Sequence, residues 1–193
     1  MRQYRSVIVD TIKKTDSVFD EIGRNYEKTP KNILIHSLSY NSFHITGAIL
    51  LLCEKNFTQE AAILLRSLIE NTVNLKWILN KNFETRIKEY LVDISKDDFG
   101  FGKRWTKSNL GERMLEVGFS KEYYNKVVKI THSFSHVNAE SLDWTNLKKD
   151  YPLLSEDAIL SVNYQMLGHT LEVLNNNVSS KFSFYKEIFK SFE

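Results

Sequence analysis

The sequence predicts an all-α fold, a single helical bundle of about six main helices with a short C-terminal helix. Three observations predict it. Only two prolines and seven glycines interrupt 193 residues. Between them, apolar residues recur at three- and four-residue steps, the period of helices that bury one side. The chain is long enough for one domain with a real core and a little short for two, so residues 1–193 read as one domain.

The elements follow in order. A first helix runs from about Arg5 to Gly23, with Val9, Ile12, Phe19 and Ile22 along one side and the glycine at its end. Pro30 starts the second helix, roughly Lys31 to Glu54, whose aliphatic residues surround the whole circumference with Ser37, Tyr40, Asn41, His44 and Thr46 interspersed. Such a helix belongs in the middle of a bundle. Asn56 and Thr58 mark a turn and an N-cap for a third helix reaching about Asn80, and a fourth follows Asn82. Gly100 and Gly102 break the pattern between Asp97 and Lys107, which reads as a loop, and a short helix follows from Ser108 to about Val117. A fifth main helix spans 121 to about 135, and the stretch 137–154 is irregular. Ser155, Glu156 and Asp157 then open a sixth. Along it Leu160, Tyr164, Leu167, Leu171, Leu174 and Val178 alternate four- and three-residue steps, the spacing of a seam that is either core or dimer interface. A short amphipathic tail, Phe182 to Phe192, closes the chain.

Charge and cysteine content exclude some classes. With 26 basic against 24 acidic side chains, the net charge of +2 gives no global field for nucleic acid or anionic membrane, so any such role is local. Cys53 is the single cysteine and lies in the apolar run Gly47 to Cys53, which rules out an intrachain disulfide and predicts a buried thiol in a reducing cytoplasm. The first residues lack the apolar core of a signal peptide, and no apolar run approaches the length of a membrane span. The expectation is a soluble, cytoplasmic protein with no membrane partner.

The most informative stretch is Glu60-Ala61-Ala62-Ile63-Leu64-Leu65-Arg66-Ser67-Leu68-Ile69-Glu70. At 100° per residue, Arg66 and Glu70 share a face with Ile63, Val73 and Trp77, while Leu64, Leu68, Leu75 and Leu79 cover the opposite one. Both faces read as buried. A charge taken out of water costs several kcal/mol unless paired, so Arg66 and Glu70 must meet each other or groups from other helices. A structural ion pair has the higher prior, and a binding or catalytic site is the alternative. Asn71 and Asn74 either extend the polar network or face solvent.

His132 and His136 lie four apart, the spacing that chelates zinc on a helix, but Ser133 stands where a metalloprotease carries its glutamate. Surface histidines explain the pair about as well. His169, between Met166 and Val173, reads as a satisfied core histidine, and His36 and His44 carry the same reading. The segment Asp97 to Trp105 mixes Lys103, Arg104 and Trp105 with Phe99 and Phe101, a composition that suits nucleic acid but is more often a set of aromatic loop anchors. No Walker loop, dinucleotide fingerprint, nucleophile elbow or paired-cysteine zinc pattern is present.

The run from Glu60 to Glu70, followed by Trp77 and by Ser133-Phe134-Ser135-His136, resembles a bacterial helical family catalogued as a domain of unknown function, over roughly residues 30–175. The resemblance implies that Arg66, Glu70, Ser135 and His136 meet in one interhelical site. A more distant likeness is to HEPN ribonucleases, which carry an arginine and a histidine separated by four to six residues. The nearest equivalent here is Lys129 and His136, and lysine lacks the planar fork that grips phosphate twice. DinB-like metal-binding bundles place one histidine early and a His-x-x-x-His pair late, an order shared by His44, His132 and His136.

Three functions compete. The first is a noncatalytic module that binds a second copy of itself or a protein encoded nearby, with Arg66 and Glu70 as scaffold and no cofactor. The second is a metal-independent ribonuclease of a toxin or phage-defence system, acting on RNA through His136 with Lys129 or Arg66 on phosphate. The third is an enzyme dependent on a divalent transition metal held by His44, His132 and His136.

Overall fold

The computed structural model describes residues 2–22, 27–95, 108–128, 131 and 155–192. Among them the fold is all-helical, with no strand, around one apolar core. The helices are α1 (Arg2–Ile22), α2 (Pro30–Glu54), α3 (Thr58–Leu79), α4 (Phe83–Ser95), α5 (Leu110–Glu116), α6 (Lys121–Tyr123, continuing as a π turn over Tyr124–Val128), α7 (Glu156–Asn177) and α8 (Tyr185–Lys190). A 3-10 turn at Ser180–Phe182 joins the last two.

Local chemistry sets the helix ends. Thr29 caps α2 by accepting the Asn32 amide, with Pro30 in the first turn, where no amide proton is needed. Asn109 and Glu112 form a reciprocal capping box at α5, and Ser155 caps α7 through the Ala158 amide. The α2–α3 turn differs from expectation. Thr58 is the first residue of α3, Phe57 precedes it without a side-chain cap, and Asn56 makes the turn in left-handed conformation at φ 62°. Asn82 adopts the same conformation before α4, at φ 56°.

Helix α3 is the axis of the bundle, packed between α2 and α7 and touched by α4 and α5. Ala61, Leu65, Leu68, Ile69, Leu75 and Ile78 from α3 meet Leu34, Ile35, Leu38 and Ile49 of α2 and Ile159, Leu160, Leu167, Leu171 and Leu174 of α7. The leucine seam of α7 is therefore core. Arg5 of α1 ties itself to Glu156 at the start of α7 through Nε at 2.9 Å and Nη2 at 2.7 Å. Cys53 is fully buried as expected, and burial pushes its thiol up to about 11, so it stays protonated.

Three readings of faces need correction. On α1 the buried line is Ile8, Thr11 and Thr15, while Val9 is 40% exposed. The threonines fit because each hydroxyl donates to the carbonyl four residues back, Thr11 to Val7 at 2.6 Å and Thr15 to Thr11 at 2.8 Å. Helix α2 is not enclosed: Ile33, Tyr40 and Leu51 are 50%, 56% and 57% exposed on a side that no described helix covers. Helix α3 is buried all round only in its C-terminal half, since Ile63 is 38% exposed and Arg66 and Glu70 lie at the edge of the core.

Gly168 on α7 sits under α8, and a β-carbon there would come within 2.9 Å of Ile188 and 3.1 Å of Phe189. We expect Gly168→Leu to displace α8 and to cost about 1–3 kcal/mol by overpacking, read as a lower urea midpoint with the helical circular dichroism of the rest retained.

Candidate functional site

Arg66 and Glu70 are one turn apart on α3, and Arg66 Nη1 stands 3.4 Å from Glu70 Oε2. Helix α5 brings a second guanidinium to the same carboxylate, with Arg113 Nη2 3.5 Å from Glu70 Oε1. Glu70 thus lies between two arginines. Its side chain is 44% exposed, whereas those of Arg66 and Arg113 are 16% and 6% exposed. Both contacts are longer than a direct charge-assisted hydrogen bond. Arg66 Nε and Nη1 are buried and make no hydrogen bond. Burial pushes the Arg66 guanidinium below its ordinary value, against the opposing effect of Glu70, although an arginine stays charged at neutral pH.

Arg113 was missed by sequence reasoning because it belongs to no motif. Its signal was position: Leu110 lies three residues before it on the same face of a short, well-capped helix, and that face is the one that packs inward.

Two turns further along α3 a tighter joint forms. The Trp77 indole donates to Glu116 Oε2 on α5, while Arg86 of α4 donates through Nη2 to Glu116 Oε1 at 2.6 Å and through Nη1 to the Trp77 carbonyl. The Arg86 guanidinium also lies 3.6 Å from the centre of the Trp77 ring, a stacked cation–π contact. The Arg86 hydrogen bond holds the Glu116 carboxyl below the usual carboxylate range. Arg86 therefore satisfies a terminal carbonyl of α3 and fastens α4 and α5 to it.

A third network joins α3 to α7. Lys76 Nζ donates to Glu172 Oε2 at 2.9 Å and lies 3.1 Å from His169 Nδ1, while His169 Nδ1 is 3.4 Å from Glu172 Oε2. Lys76 and Glu172 compete for Nδ1: with its proton on Nε2 the ring accepts from the lysine, and with a proton on Nδ1 it donates to the carboxylate. Phe119 and Phe189 flank the imidazole with ring centres each 4.8 Å away. Burial pushes the His169 pKa down, and its hydrogen bond with His169 and the contact with Lys76 bring Glu172 down to about 2. His169 has partners, as the sequence reading expects, but lies at the edge of the core rather than within it. Of its partners, Glu172 lies three residues along the same helix, whereas Lys76 comes from α3, 93 residues away, and only the tertiary path brings it there.

Beside this network opens a cleft of about 450 Å³ lined by Lys76, Ser120, Tyr123, Gln165, His169 and Phe189. The Tyr123 hydroxyl is buried without a hydrogen-bond partner, and burial pushes its pKa upward. Asn71 does not join the charged clusters. It turns toward α2, where its amide donates to the Leu38 carbonyl and to Ser42 Oγ, each at 2.7 Å.

Of the other residues singled out from sequence, Lys103, Arg104, Trp105, Lys129, His132, Ser135 and His136 lie outside the described residues. His44 is exposed on α2, its ring centre 4.3 Å from that of Tyr40. Among the described residues, no group of three or more His, Cys, Asp or Glu side chains is placed to hold a metal ion. Among them also, no helix is long and apolar enough to cross a membrane.

A family described as "Family of unknown function (DUF5677)" matches residues 32–101. The matched stretch spans most of α2, all of α3 and all of α4, and so contains Arg66, Glu70, Lys76, Trp77 and Arg86. Arg113, Glu116, His169 and Glu172 fall beyond it. No curated protein and no solved structure matches the chain.

The shifted groups fix an acid response. His169 is lowered from its ordinary 6.5, so its contribution to stability is complete above that value and is lost as pH falls below it. Glu172, lowered from 4.5 to about 2, adds a loss across that lower window. We expect the urea midpoint to fall below pH 6.5 and further below pH 4.5, and His169→Ala to remove the upper step and to shrink the lower one, because Glu172 then keeps only Lys76.

Proposed function

We propose that the chain is a noncatalytic helical binding module, with the cluster of Arg66, Glu70 and Arg113 as part of its internal scaffold. One observation supports this above others: Glu70, Lys76 and Trp77 of α3 all meet partners on other helices. Glu70 meets α5 through Arg113, Lys76 meets α7 through Glu172 and His169, and Trp77 meets both α4 and α5. Acid–base catalysis needs a group with a pKa near the working pH. Glu172 is held at about 2 and His169 is pushed below its ordinary value, so each stands in one protonation state at neutral pH. The single buried, protonated thiol fits a reducing cytoplasm.

The test is a pair of substitutions at Arg66. Arg66→Ala removes a mostly buried side chain and leaves a void, so stability drops by about 1–2 kcal/mol. Arg66→Met fills the volume without a charge to desolvate, so it restores stability to the wild-type level or above. Thermal melts read both. A loss in Arg66→Met as large as in Arg66→Ala counts against the scaffold.

A second reading, the metal-independent ribonuclease, draws on a single observation: Arg66 keeps two buried nitrogens without an acceptor, as a guanidinium that grips a phosphate does. That reading expects cleavage of varied RNAs by the purified protein, abolished in a folded Arg66→Met or His136→Ala variant. Intact RNA after prolonged incubation with wild-type protein removes it.

A further inference from the structure

Helix α2 buries hydroxyl residues beside its apolar ones and leaves apolar residues on its outer side. Ser39, Ser42 and Thr46 are fully buried, while Ile33, Tyr40 and Leu51 stand half exposed on the other side. The outward residues follow one another as Ile33, Ser37, Tyr40, His44, Gly47 and Leu51, at alternating four- and three-residue steps. That is the spacing of a seam that packs against another helix. The stripe carries no formal charge, since the charged residues of α2 are Lys31 and Glu54 at its ends. Desolvating it costs little, as suits the centre of an interface.

Gly47 adds an independent mark. A glycine in a helix interior costs roughly 1 kcal/mol relative to alanine. A β-carbon at Gly47 would meet nothing within 4 Å, so the packing of this chain does not require a glycine there. Close approach of a second helix does.

We infer that this face of α2 is an interface between two copies of the chain, with the two α2 helices antiparallel about a two-fold axis midway between Tyr40 and His44. The inference rests on the module reading and names the partner. The stripe reads the same from either end: large apolar, small, aromatic ring, aromatic ring, small, large apolar. A two-fold interface demands this self-complementarity, because residue i meets j and j meets i. Antiparallel pairing at the level of Ser42 sets Ile33 against Leu51 of the second copy, Ser37 against Gly47, and Tyr40 against His44. Small residues meet small residues, which lets the backbones close. The four rings gather at the axis, extending the contact that Tyr40 and His44 already make at 4.3 Å.

The stripe from Ile33 to Leu51 is about 27 Å long at 1.5 Å per residue. With the flank of α1, where Ile12 and Phe19 line a groove beside His36 and Tyr40 and Asp16 and Asp20 add charge outside the stripe, the face is about two helices, or ~20 Å, wide. That gives roughly 540 Å² per copy, about 1,100 Å² for the pair, just above the ~1,000 Å² that a specific interface needs.

Sedimentation and spin-label distances test the inference on the full chain. Wild type sediments as a dimer at concentrations up to about 100 μM, and Leu51→Glu and Gly47→Leu each raise the dissociation constant by about tenfold or more. We expect Gly47→Leu to keep the fold, because a β-carbon there meets nothing within 4 Å, and its helical circular dichroism and melting temperature check this. Cys53 is fully buried and stays unlabelled, so single labels at Asn41 and Lys55 report geometry. Antiparallel pairing places Asn41 labels within about 20 Å of each other and Lys55 labels about 40 Å apart along the axis. Short distances for both positions overturn the antiparallel pairing, and wild-type association in both variants overturns the interface. A monomer overturns the inference outright, including one in which Leu51→Glu lowers the melting temperature because the chain covers its own stripe. A monomer with the expected Arg66 behaviour and no action on RNA leaves the module reading standing without this partner.

Discussion

The C-terminal half of α3 is buried on every side, and the arrangement of the other helices follows from what that burial requires. Asn71, Thr72, Val73, Leu75, Trp77 and Ile78 are all buried. A polar group placed there must find a partner inside the protein, since an unmet one costs 1–3 kcal/mol. Asn71 reaches the Leu38 carbonyl and Ser42 on α2, and Thr72 lies 3.4 Å from Thr170 on α7. Lys76 joins Glu172, and the indole of Trp77 joins Glu116. Asn71, Thr72, Lys76 and Trp77 each select a neighbour and fix its height, whereas Asn74 Oδ1 is buried without a hydrogen-bond partner. Apolar packing alone tolerates many registers, and these bonds narrow them.

The charged joints along α3 are of two kinds. Arg86 with Glu116 and Lys76 with Glu172 have contacts of 2.6 and 2.9 Å, reinforced by an indole in one case and an imidazole in the other. Glu70 has two arginines, yet at 3.4 and 3.5 Å. Two guanidinia against one carboxylate leave a net positive charge beside a half-exposed acid, where water screens it. The first kind behaves as a bolt. The second is looser and closer to solvent, which is why Arg66 distinguishes the scaffold reading from phosphate chemistry and the other two joints do not.

The helices themselves were legible, because helix existence depends on period and end signals that lie within a few residues of each other. Pro30 at the start of α2 and Ser155 before α7 needed no tertiary information. Faces were less legible. The pattern sets Val9 on the apolar side of α1, yet the buried line runs through Thr11 and Thr15, whose back-bonded hydroxyls let them pass as apolar residues. Partners were the least legible. Arg66 and Glu70 are read as a pair because a single helix joins them, whereas Arg113 comes from a separate helix and Glu172 lies 96 residues beyond Lys76. Only the tertiary path determines which of the many charged residues arrives.

Helix α2 shows why an apolar circumference is a poor guide to burial. Its inner side uses short hydroxyl residues that let α3 and α7 come close: Ser42 accepts from Asn71, and the Thr46 carbonyl accepts from Asn163 at 3.4 Å. Leu34, Ile35, Leu38, Phe43 and Ile49 pack inward beside those slender residues, while Ile33, Tyr40 and Leu51 remain on the outer face. Half-exposed Ile33, Tyr40 and Leu51 add little to the fold of one chain, because most of their area remains in water. Singly, exposed apolar residues are ordinary. Aligned along one stripe, with a glycine among them that no internal contact explains, they form a surface whose stabilisation comes only when something covers it.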